Sequence, residues 1–301
     1  MASLVCGSLA FDTITVFPGR FADQIMPEQL HILNVSFLVP TLRREFGGCA
    51  GNIAYTLKLL GGEPVVLAAL GNDGASYLEH LKKLGISSDS VHVTADNYTA
   101  QAIIITDAAN NQITAFHPGA MMQAHETGLP SRGDIRLAII GPDGRDAMMR
   151  RAADLAAAKI PFVFDPGQGL PMFDGADLHA FIAQATWVTV NDYEAKMLTE
   201  RTGLSLAELS TSHLKGVVVT LGEEGCEVWE QGRRTHVPGV AAAAVLDPTG
   251  CGDAFRGALL YGLEKGWPLI DCVKLGNKVG AVKIAYRGAQ NHPVDRAALG
   301  A

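Results

Sequence analysis

Short, wholly apolar runs recur along the chain, separated by stretches that mix apolar and polar positions. Leu4-Val5-Cys6, Val65 to Leu70, Leu137 to Ile140, Phe162-Val163-Phe164, Trp187 to Val190 and Val217 to Leu221 are bounded by Gly, Asp or Pro. Runs of this kind predict strands buried on both faces. Between them, apolar residues three and four apart (Ile53-Leu57-Leu60, Leu78-Leu81-Leu84, Met148 to Ala158, Glu194 to Arg201) predict helices. Strand and helix alternate, so the body is expected to be an α/β unit with a mostly parallel sheet covered by helices.

Two stretches, residues 11 to 46 and 97 to 118, break this rhythm. In the second, Gln101 to Thr106 and Gln112 to Phe116 flank the polar turn Asp107-Ala108-Ala109-Asn110-Asn111 as a hairpin does. Together they predict a small second sheet lying as a lid over one edge of the body. Residues 119 to 136, rich in Gly, Pro and Ser, predict a connector inside one domain of residues 1 to 301 rather than a boundary between two.

Composition narrows the function classes. Of 301 residues, 48% are hydrophobic and 18% charged, the profile of a soluble globular chain. Lys plus Arg number 24 against 31 Asp plus Glu, a net charge of -7, so no basic stripe is expected and nucleic acid is excluded as a partner. A small phosphorylated ligand stays open, because a few local donors suffice for it. Cysteines 6, 49, 226, 251 and 272 have no paired spacing and predict reduced thiols in a cytoplasmic protein. The N-terminus lacks the pattern of a signal peptide, and no segment nears the roughly 18 apolar residues that span a bilayer, so no membrane partner is expected.

Chemistry concentrates in Asp247-Pro248-Thr249-Gly250-Cys251-Gly252-Asp253-Ala254-Phe255. Two glycines one residue apart precede the apolar helical run Ala254 to Leu263, so backbone N–H groups at a helix start converge on one anion. Asp253 sits in the first turn beside it. A carboxylate next to an anion site is electrostatically wrong unless it takes a proton from an attacking hydroxyl, as phosphoryl transfer requires. A helix cap with an ordinary glycine turn is the alternative for a shorter match.

This string resembles the C-terminal signature of the ribokinase (PfkB) family of carbohydrate and nucleoside kinases, with Pro248 and Cys251 replacing the usual residues. The resemblance implies a ribokinase-like three-layer α/β/α sandwich with a β-sheet lid. It also implies an anion hole at Gly250, Cys251 and Gly252, and Asp253 as the base. Gly47-Gly48-Cys49-Ala50-Gly51-Asn52 looks like the family's N-terminal signature, which gives Gly47, Gly48 and Asn52 to the substrate; Asp12 matches the carboxylate that holds sugar hydroxyls. Gly71-Asn72-Asp73-Gly74 resembles a further element with Ser76 in place of its last glycine, expected to be a structural turn.

Asn191 and Glu194 match an Asn-x-x-Glu that acts near Mg²⁺ and the phosphates, Glu194 through metal-bound water. Thr220, Gly222 and Gly225 match a stretch lining the nucleotide, so ATP and Mg²⁺ are the implied cofactors. Asp247 and Thr249 match positions where many members bind K⁺ through main-chain and carboxylate oxygens. A homodimer through the lid is a further expectation.

Residues 101 to 120, with 280 to 284 and 288 to 292, look like the bacterial adenosine kinase branch. Phe116 is expected to stack on a purine and Gln168 to bond a base edge. The expected reaction is therefore ATP-dependent phosphorylation of the adenosine 5′-hydroxyl. A ribose or fructose kinase, a kinase for another nucleoside, and a nucleotide-binding regulator without turnover are the alternatives.

Overall fold

The computed structural model describes residues 1–25, 31–32 and 34–301; residues 26–30 and 33, inside the first lid stretch, lie outside the described residues. In chain order the elements are β1 (Ala2–Cys6), β2 (Ala10–Val16), β3 (Thr41–Gly47), α1 (Cys49–Leu59), β4 (Pro64–Leu70), α2 (Ala75–Lys83), β5 (Val91–Val93), β6 (Ala100–Thr106) and β7 (Gln112–His117). They continue as β8 (Ile135–Ile140), α3 (Arg145–Ala157), β9 (Phe162–Phe164), α4 (Gly175–Gln184), β10 (Trp187–Asn191), α5 (Asp192–Thr202) and α6 (Leu206–Thr211). The last part is β11 (Gly216–Thr220), β12 (Gly225–Glu230), β13 (Arg233–Pro238), α7 (Cys251–Glu264), α8 (Leu269–Lys283) and α9 (Arg296–Leu299).

Nine strands form one sheet in the order β13-β12-β11-β10-β9-β8-β1-β4-β5, antiparallel only at β12 and β13. Each apolar run of the sequence is a strand of this sheet. Leu4, Val66, Ile139, Phe162 and Val188 are fully buried, as expected where helices cover both faces. The two largest core clusters centre on Met148, Phe164 and Phe181 and on Ile53, Tyr77 and Leu260. They lie on opposite faces, since neighbours such as Leu4 and Val5 on one strand fall in different clusters.

The second sheet has the order β3-β2-β6-β7. The predicted hairpin is β6 and β7, closed by Asp107, whose carboxylate accepts from the N–H groups of Phe21, Ala109 and Asn111. Register aligns Glu45, Asp12, Ala102 and Phe116 in one row, and directly paired residues share a face. The connector 119–136 contributes more than its composition suggests. Its 3₁₀ turn, Gly119–Glu126, buries Ala120 and Ala124 against Ala69 and Ala147.

Candidate active site

Strand order reverses at β1, which sends the chain to β4 on one side and pairs β8 on the other. The carboxyl ends of strands at such a point leave a crevice where α/β proteins bind ligands. Here the chain leaves β1 through Gly7 and Ser8. α1 is tied to that exit by Ala50 N–H to the Ser8 carbonyl (3.0 Å), and to the end of β8 by Cys49 Sγ–H to the Pro142 carbonyl (3.2 Å). Gly48, at φ +84°, passes so close that a Cβ would lie 2.5 Å from the Ser8 carbonyl oxygen. A Cβ on Gly47 would lie 2.6 Å from Asp12 Oδ2, so the bare backbone at 47 leaves the Asp12 carboxylate its space.

α7 begins beside α1. Gly250 caps it at φ +77°, a conformation suited to glycine, and a Cβ there would strike the Ala289 methyl at 2.6 Å. The Cys251 N–H is spent on the Pro248 carbonyl (3.1 Å), whereas the N–H groups of Gly250, Gly252 and Asp253 have no acceptor among the described residues. The open donors at the helix start are therefore Gly250, Gly252 and Asp253, one residue displaced from the expected trio.

The two signature helices touch where Gly257 meets Thr56 and the Ile53 carbonyl; a Cβ on Gly257 would lie 2.7 Å from Thr56 Cβ. One turn earlier on each helix, Asn52 Nδ2 donates to Asp253 Oδ2 at 2.8 Å. Asn52 Oδ1 accepts from Gln290 Nε2 (2.9 Å), which also donates to the Tyr77 hydroxyl (2.8 Å), and Tyr77 donates to the Gly47 carbonyl (2.7 Å). His80 Nε2 meets Gln290 Oε1 at 2.9 Å, so every group of this chain is satisfied. Asn52, expected to meet the substrate, is 5% exposed with its amide committed to Asp253 and Gln290. Its hydrogen bond orients the Asp253 carboxylate, and the second Nδ2 hydrogen has no acceptor among the described residues.

Both acids of the crevice resist ionisation. Burial, then the Asn52 hydrogen bond working against it, leaves the Asp253 carboxyl raised to about 6. Asp12 is also raised to about 6, by burial first and then by the Asp253, Glu45 and Asp247 charges.

Two charged residues that the sequence reading did not single out complete the site. Arg256, one turn past Asp253 on α7, donates Nη2 to Asp165 Oδ1 at 2.7 Å, pairs through Nε with Asp165 Oδ2, and donates Nη1 to the Gly252 carbonyl at 3.1 Å. Both side chains are buried. Burial opposes the guanidinium charge, yet Asp165, Asp253 and Glu194 hold its pKa above the ordinary arginine value. Asp165 follows β9, at the same carboxyl edge of the sheet. An arginine inside the otherwise apolar run 254 to 263 was the available signal.

The parallel register of β10 and β11 pairs Asn191 with Thr220, which brings the two expected nucleotide stretches side by side. Asn191 caps α5 by accepting from the Glu194 N–H (2.7 Å), and Glu194 Oε2 returns the bond from the Asn191 N–H (2.8 Å). This capping box leaves Glu194 Oε1 without a hydrogen-bond partner among the described residues, and burial raises the carboxyl. Gly222 faces open space, and Gly225, at φ +96°, packs against the Val237 carbonyl. Gln168 is exposed on the 3₁₀ turn Gly167–Met172, and Phe116 is 54% exposed on β7. Asp73 is structural, accepting from the Thr99 N–H and from Arg44.

A half-buried carboxylate beside a helix start with open N–H donors, under a second sheet that presents another carboxylate, defines a small-molecule phosphotransferase site. The pfkB family carbohydrate kinase profile matches residues 17–296, and this chain belongs to that family. It is 28% identical to a nucleoside kinase of Methanocaldococcus jannaschii over 86% of this chain and 85% of that protein, and 27% identical to mouse ribokinase over 82% and 80%. Among solved structures, Burkholderia thailandensis nucleoside kinase in complex with inosine is 50% identical with a TM-score of 0.88, covering 99% of this chain and 95% of that one. The M. jannaschii nucleoside kinase superposes with a TM-score of 0.89 at 25% identity, covering 100% and 97%.

Proposed function

We propose that this kinase transfers the γ-phosphoryl of ATP to the 5′-hydroxyl of a purine nucleoside, adenosine first, with Asp253 as general base. The observation that carries the reading is the row Asp12, Ala102, Phe116 on the face of the lid that bears the Asp12 carboxylate. Two strand spacings separate Asp12 from Phe116, about 10 Å. The carboxylate suits a ribose diol, the small Ala102 leaves room, and the exposed Phe116 ring suits a purine face. A free sugar would leave Phe116 without a partner. Gln168 is exposed on the turn Gly167–Met172, and in this reading it bonds a base edge.

The chain's own residues account for the proton and the charge. Asp253 accepts the hydroxyl proton as the oxygen attacks in line. The Gly250, Gly252 and Asp253 N–H groups stabilise the charge that develops on the transferred group. Glu194 fits an outer contact to the Mg²⁺ that accompanies ATP, since that ion keeps several waters and needs few carboxylates; bound there, it would neutralise phosphate charge.

A panel of adenosine, inosine, guanosine, ribose and fructose, read by ADP release, tests the assignment. Adenosine is expected to give the highest kcat/KM, with inosine second because a relative of 50% identity holds it in its solved structure. A sugar outpacing every nucleoside would replace the reading. Phe116→Ala is expected to lower kcat/KM for nucleosides by about tenfold, the loss of one base–aromatic stack, and to leave any ribose activity unchanged.

The pH profile is a second check. Asp253 works only when ionised, so kcat/KM is expected to rise with pH through about 6 and level off above it. A profile flat from pH 5 to 8 would remove Asp253 as the base.

A further inference from the structure

The loop that opens α7 holds a cation of its own. Lys283, the last residue of α8, is fully buried. Its Nζ donates to the Asp247 carbonyl at 2.7 Å and to the Tyr286 carbonyl at 3.2 Å. The Asp247 carboxylate is engaged from the other side by the Gly288 N–H (2.9 Å) and the Thr249 N–H (2.9 Å), and the Asp247 N–H reaches the Ile284 carbonyl (3.1 Å). The segments 247–249 and 284–288 are thus cross-linked around one buried ammonium, directly beneath the Gly250 cap.

Asp247 and Thr249 are the positions where resemblance to the family predicts K⁺. The structure argues against that fit. The main-chain oxygen of Asp247 is already a ligand of Lys283 Nζ, at a distance normal for a charge-assisted hydrogen bond. A second monovalent cation on the same oxygen would face the ammonium at close range, and like charges so placed repel strongly where water is excluded. The ammonium also meets the physical need that a bound cation serves. It ties down the Asp247 and Tyr286 carbonyls, offsets part of the nearby Asp247 charge without touching the carboxylate, and places a positive charge close to the helix start where phosphate charge develops.

We infer that Lys283 is a built-in monovalent cation: its tethered ammonium replaces K⁺ under the 247–252 loop, positions the Gly250 and Gly252 donors, and makes this kinase independent of K⁺. Lys283 touches neither substrate nor nucleotide in this reading; it acts through the loop. The inference rests on the kinase reading above, and its tests separate the two.

Turnover of the full-length chain would be measured with saturating adenosine and ATP·Mg²⁺ in potassium, sodium or tetramethylammonium chloride, at one ionic strength of about 0.1 M to hold screening constant. Rates are expected to agree within about threefold; a larger rise in K⁺ overturns the inference. Lys283→Met is expected to lose about 10²-fold in kcat in tetramethylammonium, the cost of a misplaced donor set, and to recover at least about tenfold of it on adding K⁺ or ammonium. Unimpaired turnover of that variant, or a loss that neither ion restores, also overturns it.

Melting temperature gives a readout that needs no catalysis. K⁺ should leave the wild-type transition where tetramethylammonium leaves it, and should raise that of Lys283→Met by linkage to a newly opened site. Should no substrate turn over in any salt, the kinase assignment fails and the melting series still decides the cation site. Should Lys283→Met not fold, the wild-type series decides it alone.

Discussion

Asp253→Asn is expected to lower kcat by about 10²- to 10⁴-fold, the usual worth of a positioned general base. KM for ATP should change little, because Asn retains the backbone N–H that faces the phosphates and Asn52 Nδ2 still finds an oxygen at 2.8 Å. The same variant should melt higher than wild type at pH 8. The Asp253 carboxyl is raised to about 6 in the fold, against about 3.9 in an unfolded chain, so the unfolded state releases its proton first. Stability therefore falls as pH rises from about 4 to about 6, and stays lower above it. Asn cannot ionise and escapes a penalty on the order of 1–3 kcal/mol, which appears as a few °C. A crippled enzyme that is also more stable marks a group held against its own preference for water. Loss of activity with loss of stability would instead mark a helix cap.

The largest stability effect is expected at Arg256. Arg256→Met leaves the Asp165 carboxylate buried without its guanidinium hydrogen bond and ion pair, which costs about 3–5 kcal/mol in thermal or urea unfolding. The double variant Arg256→Met, Asp165→Leu removes both charges and is expected to recover most of that loss, since apolar replacement of a whole buried pair is near neutral. Turnover is not expected to recover with it. Arg256 lowers the Asp253 pKa and braces the Gly252 carbonyl, so in the single variant Arg256→Met, which keeps the opposing Asp165 charge, the acid limb of the pH–kcat/KM profile should move to higher pH. A stable double variant with wild-type kcat, or Arg256→Met with an unmoved acid limb, would make the pair purely structural.

The pair also explains why phosphate chemistry is possible in an acidic crevice. Asp12, Asp165, Glu194, Asp247 and Asp253 contribute to the pKa shifts around one anion site. Two buried cations answer them: Arg256 behind the base and Lys283 beneath the cap. In the proposed reading, the open N–H donors at the start of α7 are left free for the phosphates while the negative side chains are pinned or raised toward neutrality. Net charge along the chain, -7, says nothing of this local balance.

Patterning alone determined the layered architecture, because both of its signals are local. The doubly buried strands need continuous apolar runs, and each matched run lies in the sheet within a residue or two of its expected bounds. The lid hairpin was legible because a five-residue polar turn between alternating segments has few other uses. The glycine string at 250–252 was legible as a helix start because a cap at φ +77° that lies against Ala289 needs glycine. Only the tertiary structure decided which side chains the other side chains consume. Asn52 reads in sequence as a free donor and acceptor, yet Gln290, 238 residues away, fixes its amide toward Asp253. Arg256 reads as a stray charge in an apolar helix and Lys283 as one more lysine of a mixed one, and their partners Asp165 and Asp247 come from distant segments. Burial makes such charges costly unless paired, and pairing across the chain is a property of packing, which no local pattern encodes.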